Sequence, residues 1–424
     1  MLNIIEEELN RLGADVWAVE ASGVHSAELF YIRRNLDTRR MKDTKKYLVR
    51  VYRDFEKDGK PMRGMSEVTF VPTQSREEIA EGLKGAYYAA SFVENSFYPL
   101  PEKQAGGPET GGGFGGMTAE DAALAMSDAL FREDHAEHAF INSAEIFAVK
   151  TDVRLITSGG TDVSYSMHEI SGEFVAQCKE PEDVEIFRPF RYDTPDREEL
   201  SAKVRMALRQ AEDRAHAEKG LKTGVYNVIL SDDCLAELMG YYTDRTSVGM
   251  VYPGYSSWKI GDEVQKQPVQ GEELELTLRA QEPYSSEGIP MIDRSAVTGG
   301  RVRTLHGNAR LSSYLGVEPT GEYRSVSCGN GTVPLAERKK EPCLYPVVFS
   351  DFQMDSFTGH FGGEIRLAYW FDGKTTRIVT GGSINGSIID CSDRLLFSKE
   401  RYRSLDYEGP FAVLLRGVSV AGAD

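Results

Sequence analysis

The chain has 424 residues, 41% of them hydrophobic and 27% charged, so it is long enough for two or three domains with cores of their own. Its formal net charge of -17 repels a phosphate backbone, which argues against nucleic acid as a partner. Five cysteines, none in a CxxC pair, argue against a disulfide framework and point to a reducing compartment. The acidic start of the chain lacks the basic and apolar regions of a signal peptide, and no apolar run approaches the ~20 residues that span a bilayer. The expected location is the cytoplasm, with no membrane contact.

A first helix is expected from Leu2 to Leu12, stopped by Gly13. Strand patterns follow at residues 15–20, 28–34 and 46–55. Lys57-Asp58-Gly59-Lys60 then reads as a turn into a strand at 66–71. Ser75 and Glu78 have the spacing of a capping box, and Ile79, Leu83, Ala86, Tyr87 and Ala90 follow at helical intervals. Residues 95–117 are irregular and glycine-rich. A short helix, 118–133, opens a second module, with strands 147–156 and 163–177 around the turn Ser158 to Thr161. Thr194-Pro195 reads as the start of a helix with apolar face Leu200, Val204, Leu208 and Ala211, ending at Gly220. Strands followed by an amphipathic helix thus occur twice, as a weak repeat.

Beyond Gly220 the texture changes. An apolar strand, 225–230, runs into a helix at Ser231-Asp232-Asp233, and strands are expected at 273–279, 298–305, 345–348, 363–371 and 376–380. The fold class is α+β: N-terminal strand-plus-helix modules followed by a larger β-rich C-terminal domain. The expected domains are 1–104, a Gly-rich linker at 105–117, 118–220 and 221–424.

Three stretches carry a resemblance. Val225 to Gly240 is a strand running into a helix. Ser285-Ser-Glu-Gly-Ile-Pro290 is similar to an Asp-x-Glu-Gly-x-Pro turn. Phe357 to Gly373, with Thr380 to Gly386 after it, is similar to a Thr-Gly-Asp-Phe-Ser segment and the closing glycine-rich stretch, with His360 in place of Asp. In this order they resemble the TldD/PmbA family, also described as modulators of DNA gyrase, and above all its subunit without the zinc motif.

Active members of that family carry His-Glu-x-x-x-His on the helix after the strand, where two imidazoles hold zinc and the glutamate acts as general base. The matching residues here are Ala236, Glu237, Gly240 and Tyr241, so both histidine positions are lost. The resemblance implies a TldE/PmbA-like, non-catalytic subunit with no cofactor of its own. Zinc is expected in a TldD-like partner subunit, and peptides are the substrate, in proteolysis or peptide maturation. Alternatives are a stand-alone peptide-binding homodimer and a hydrolase with a rearranged site using His168, Glu169 or Cys328. Without zinc, Glu237 is read as a solvent-facing helix residue in preference to a relic of the base.

Other residues invite chemistry. His168-Glu169 is the only His-Glu pair; Gly172 stands where a zincin needs its second histidine, which leaves Glu173 as the metal candidate beside His168. Both lie in a strand pattern that sends them to opposite faces. His135 and His138 would share a helical face at a charged helix end. Gly111, Gly113 and Gly116 match a dinucleotide fingerprint in form, but no strand precedes them. Cys328 reads as a turn cysteine with nothing beside it in sequence to lower its pKa.

Overall fold

The computed structural model describes residues 1–103, 112–329 and 331–423. The first module runs α1 (Leu2–Leu12), β1 (Val16–Ile32), β2 (Asn35–Lys57), β3 (Lys60–Phe70) and α2 (Arg76–Ala90). Gly13 closes α1 in the left-handed conformation, φ 72°, a position glycine occupies at little cost. Asp58 and Gly59 both have positive φ, the two-residue hairpin turn that suits a right-handed strand pair. The Ser75 capping box is complete: Glu78 N–H donates to the Ser75 hydroxyl and Glu78 reaches back to Ser75 N–H.

The second module has the same plan: α3 (Ala119–Arg132), β4 (Ala139–Thr157), β5 (Asp162–Cys178), β6 (Val184–Tyr192) and α4 (Arg197–Ala215). Its strands and those of the first module form one continuous antiparallel sheet, β3-β2-β1-β4-β5-β6, with β1 and β4 as the central seam. The repeat is therefore fuller than the sequence pattern indicates, and the modules share one sheet. Two expected strands, 15–20 and 28–34, are one long β1, and the strand expected at 66–71 begins at Lys60. Helix α4 starts at Arg197, because the Asp196 carboxylate, not Thr194, accepts from Glu199 N–H. It ends at Ala215, five residues short of Gly220. Residues 105–111 of the expected linker lie outside the described residues. Its far end is anchored, since Phe114 is buried among Ala122, Met126 and Ile170.

Strand alternation sorts the sheet's two faces. Val49 and Val51 pack under α1 and α2, while Ile146, Ala148, Ile170 and Phe174 pack under α3 and α4. The other parity, including Arg50, Tyr52, Val149, Thr151, Met167 and Glu169, faces away from the helices toward the C-terminal domain.

That domain begins with β7 (Gly224–Ser231) and α5 (Asp232–Thr246). One sheet contains β8 (Leu276–Arg279), β9 (Arg294–Thr298), β10 (Arg301–Val302) and β11 (Ser325–Cys328). The other contains β12 (Cys343–Met354), β13 (His360–Phe371), β14 (Thr376–Val379), β15 (Ser383–Ser387) and β16 (Leu396–Phe397). Next, β17 (Arg401–Arg403) and β18 (Tyr407–Pro410) complete the first sheet, and β19 (Ala412–Ala421) joins β7 to β15 in the second. The β12–β13 pairing closes that second sheet, β12-β7-β19-β15-β13, into a barrel. The strand expected at 298–305 is only the two residues of β10, with β9 before it, since Thr298 and Arg301 pair across the turn at Gly299-Gly300. The architecture is α+β. Among the described residues, no helix is long and apolar enough to cross a membrane.

Candidate functional site

Helix α5 buries Leu235, Leu238, Met239 and Tyr242 in the core of the C-terminal domain. At its start the Asp232 carboxylate accepts from Asp233 N–H at 2.7 Å, and Lys203 Nζ lies 3.0 Å from the Asp233 carboxylate. Ala236 packs its methyl against the core. Glu237 is exposed as a residue, yet its Oε1 accepts from Met354 N–H of β12 at 2.9 Å. Burial of that carboxyl raises its pKa, with Asp351 and Asp233 adding to the effect against the backbone hydrogen bond. It ties the helix to the barrel. Gly240 has open space beside it.

Tyr241 is buried, edge-on to Tyr242 and Trp258 at 5.2 and 5.8 Å between ring centres, and burial raises its phenol pKa. The set Ala236, Glu237 and Tyr241 does not fit a zinc ion: it offers a methyl, a carboxylate engaged with backbone, and a protonated phenol packed against indole. The segment with His360 packs on the end of this helix. Ser356 hydroxyl donates to Asp244 at 2.5 Å, Phe361 enters the core, and His360 stays exposed with Nδ1 3.1 Å from the Thr358 hydroxyl.

A second place has the geometry of a binding site. Between the helix-free face of the N-terminal sheet and the C-terminal domain lies a cleft of about 760 Å³. The Ser285 to Pro290 turn forms part of its wall. Ser285 hydroxyl caps the turn by accepting from Glu287 and Ile289 N–H, and Gly288 takes φ 83°. The turn carries Glu287, whose Oε2 accepts from Ala309 N–H at 2.8 Å. Burial raises the Glu287 pKa, opposed by that hydrogen bond and by Arg50 and Arg310. Beside it, burial and then the like charge of Glu20 push Glu282 up to about 7, against the pull of Arg324 and Tyr165. Two carboxyls with raised pKa, one of them titrating near neutral pH, thus sit in one cleft with several arginines. Sequence reasoning singled out the 285–290 turn. It missed Glu282, Arg310 and Arg324, whose positions carry no motif and converge only through the fold.

The remaining candidates are dispersed. His168 and Glu173 are both on β5 at opposite parity. His168 meets the Phe114 ring edge-on at 4.8 Å, and burial, then Lys150, lowers its pKa. Glu173 faces Glu145 across the strand pair, and burial raises its pKa. Gly172 is explained by packing: a Cβ there would stand 2.1 Å from Glu145 O and 2.6 Å from the Phe190 ring.

His135 and His138 follow the end of α3 in non-helical chain, so the shared helical face does not form. Glu169 is paired with Arg191 at 2.9 Å. Cys328 is buried on β11, not in an open turn, and burial pushes its thiol up, opposite to what a nucleophile needs. Asn330 beside it and Gly111 of the glycine pattern lie outside the described residues. Among the described residues, no three His, Cys, Asp or Glu side chains are grouped to hold a metal.

Residues 223–422, which contain α5, the 285–290 turn and the closed barrel, match the PmbA/TldA metallopeptidase C-terminal domain. The C-terminal half of the chain thus carries a domain of that metallopeptidase family. Solved structures extend the likeness of fold to the whole chain. TldE from Thermococcus kodakarensis aligns with TM-score 0.81 and 14% identity over 100% of both chains. A protein described as a modulator of a DNA gyrase, from Thermotoga maritima, aligns with TM-score 0.79 and 17% identity over 98% of this chain and 100% of its own. Another so described, from Bacteroides thetaiotaomicron, gives 0.77 and 14% over 100% and 99%. No curated protein matches the chain. With this fold, the chain keeps the α5 scaffold but carries Ala236 and Tyr241 at the positions where the resemblance implies metal-binding imidazoles.

Proposed function

We propose that the chain is a TldE/PmbA-like, non-catalytic subunit of a TldD/TldE-type metalloprotease complex, acting in the cytoplasm in proteolysis or peptide maturation. One observation carries this reading: the side chains at 236 and 241 are a core methyl and a buried phenol, so α5 has no pair of imidazoles to hold a hydrolytic zinc. The full-length likeness in fold to a TldE supports it. Zinc and the general base then belong to a TldD-like partner. An apolar exposed cluster near the end of α5, where Tyr255 and Phe357 meet at 5.2 Å and Ile389 lies against Gly359, offers that partner a face.

The same cluster also supports a second reading, a homodimer that binds peptides without any protease. A hydrolase using His168, Glu169 or Cys328 has less support, since these three are respectively against Phe114, in an ion pair, and buried. Direct action on DNA is disfavoured by the charge of -17.

The test is elemental analysis and peptidase assay on one chelator-free preparation, with affinity capture of a His-Glu-x-x-x-His chain from the source cells. The expected outcome is no stoichiometric zinc, no activity alone, and capture of that chain. One zinc per chain with peptidase activity sinks the proposal. A homodimer that captures no such chain favours the second reading.

A further inference from the structure

We infer that the cleft takes an extended peptide by one of the peptide's carboxylates, which Arg310 and Arg324 receive. The inference rests on the peptide-handling reading above only for the kind of molecule bound. The site itself is argued from the cleft.

Its lining crosses the sheet. Lining residues come from β3 (Met65, Glu67), β2 (Arg50), β4 (Thr151), β5 (Met167) and β6 (Arg191). At roughly 4.8 Å between strands the crossing from β3 to β6 is about 24 Å, the length of about seven extended residues. Three methionines, Met65, Met167 and Met291, lie along the walls. Such side chains adapt to differing neighbours and suit a ligand whose own side chains vary.

The charges then choose which part of the ligand is held. Three of the five lining arginines are already neutralised: Arg50 by Glu67 at 2.6 Å, Arg191 by Glu169 and Asp406, and Arg279 by Asp293 and Glu408. Arg310 and Arg324 differ. Among the described residues neither has a carboxylate oxygen within 4.0 Å. Arg310 donates to the Asn95 amide oxygen at 2.6 Å, and Arg324 is exposed. Two guanidinium groups with no direct ion pair, each only in the wider field of a protonatable carboxyl (Glu287 for Arg310, Glu282 for Arg324), are matched by a planar carboxylate. A dianionic phosphate fits less well, because Glu67, Glu169, Glu282, Glu287 and Glu322 line the same cleft.

Glu282 sets the pH at which a carboxylate is tolerated. It faces Glu20 from β1, Tyr165 from β5 and Arg324 from beside β11. Protonated, it leaves Arg324 free for the ligand; ionised, it adds a like charge and competes for the same cation. Since it titrates near 7, carboxylate binding strengthens as pH falls from 8 to 6.

The experiment uses the full chain and three labelled seven-residue peptides of alanine, serine, threonine and valine, read by fluorescence anisotropy. One has a free carboxyl end, one a C-terminal amide, and one the amide with a central aspartate. The free acid is expected to bind about ten-fold or more tightly than the amide, the scale of a charge-assisted hydrogen bond. Arg324→Gln and Arg310→Gln should each erase that difference, and the difference should widen toward pH 6 in the native chain but not in Glu282→Gln. Recovery of binding by the aspartate-bearing amide assigns the contact to any peptide carboxylate, and no recovery assigns it to the chain end. Equal binding of acid and amide, or no binding by any of the three, overturns the inference. Capture of a TldD-like chain by the native protein separates the two readings. In the native chain, no carboxylate preference with capture intact sinks this inference alone, whereas failed capture with the preference present sinks only the subunit assignment.

Discussion

At position 241, where the resemblance implies a metal-binding side chain, stands a buried core residue. Tyr241 fills space between Tyr242 and Trp258, with the Arg245 guanidinium 5.9 Å from its ring. Tyr241→Ala is therefore expected to cost about 3 kcal/mol or more of stability in urea unfolding, as large-to-small changes of buried aromatics do. Glu237 has a different task. Its Oε1 needs only to accept from Met354 N–H, so Glu237→Gln, which keeps an acceptor oxygen, should stay within about 0.5 kcal/mol of the native chain in the same titration. A loss of several kcal/mol in Glu237→Gln would mean that the charge itself is structural. That residues 236, 237 and 241 stand at the motif positions follows only from the resemblance of the strand and helix around them, not from periodicity. What Glu237 bonds to was not legible in the sequence, since Met354 lies far along the chain.

Among elements, local chemistry was readable where it is complete within a few residues. The 57–60 turn, the Ser75 box and the stop at Gly13 are of this kind. The lengths of β1 and β2 were hidden, because residues 21–27 are small or polar apart from Val24 and residues 35–46 are exposed throughout, which removes the alternation that marks a half-buried strand. Gly172 illustrates the opposite case. In the sequence it only interrupts a metal-ligand spacing, but in the sheet it is where β4 and Phe190 of β6 press closest on β5. Gly172→Ala must push the backbone away from Glu145 O, so we expect a loss of about 1–3 kcal/mol, seen as a lower urea midpoint. An unchanged midpoint would show that the sheet yields there without strain.

Over the whole molecule, the N-terminal sheet and the C-terminal domain meet across a cleft, and no segment of sequence predicts it, because its lining runs from Arg50 to Leu405. Its buried carboxyl makes folding sensitive to pH. Glu282 has a native pKa of about 7, above the ordinary carboxylate range, so the folded chain holds a proton that the unfolded chain has released between about pH 4.5 and 7. The stability this group contributes is present below that window and is lost as pH rises through it. Glu282→Gln, neutral at every pH, should flatten that part of a stability profile measured from pH 5 to 8; a profile identical to the native one would place the titration elsewhere.

The central seam of the N-terminal sheet has a consequence for how the chain is made. Strands β1 and β4 pair residues roughly a hundred or more positions apart, Ile32 with Ser143 and Ala18 with Thr157. On the ribosome, β1 can fold onto β2 at once, but its other edge waits until β4 has emerged. At about 5–20 residues per second that wait is on the order of ten seconds. Through it the nascent hairpin presents a bare strand edge with Leu29 and Val19 beside it, the kind of surface on which holding chaperones act.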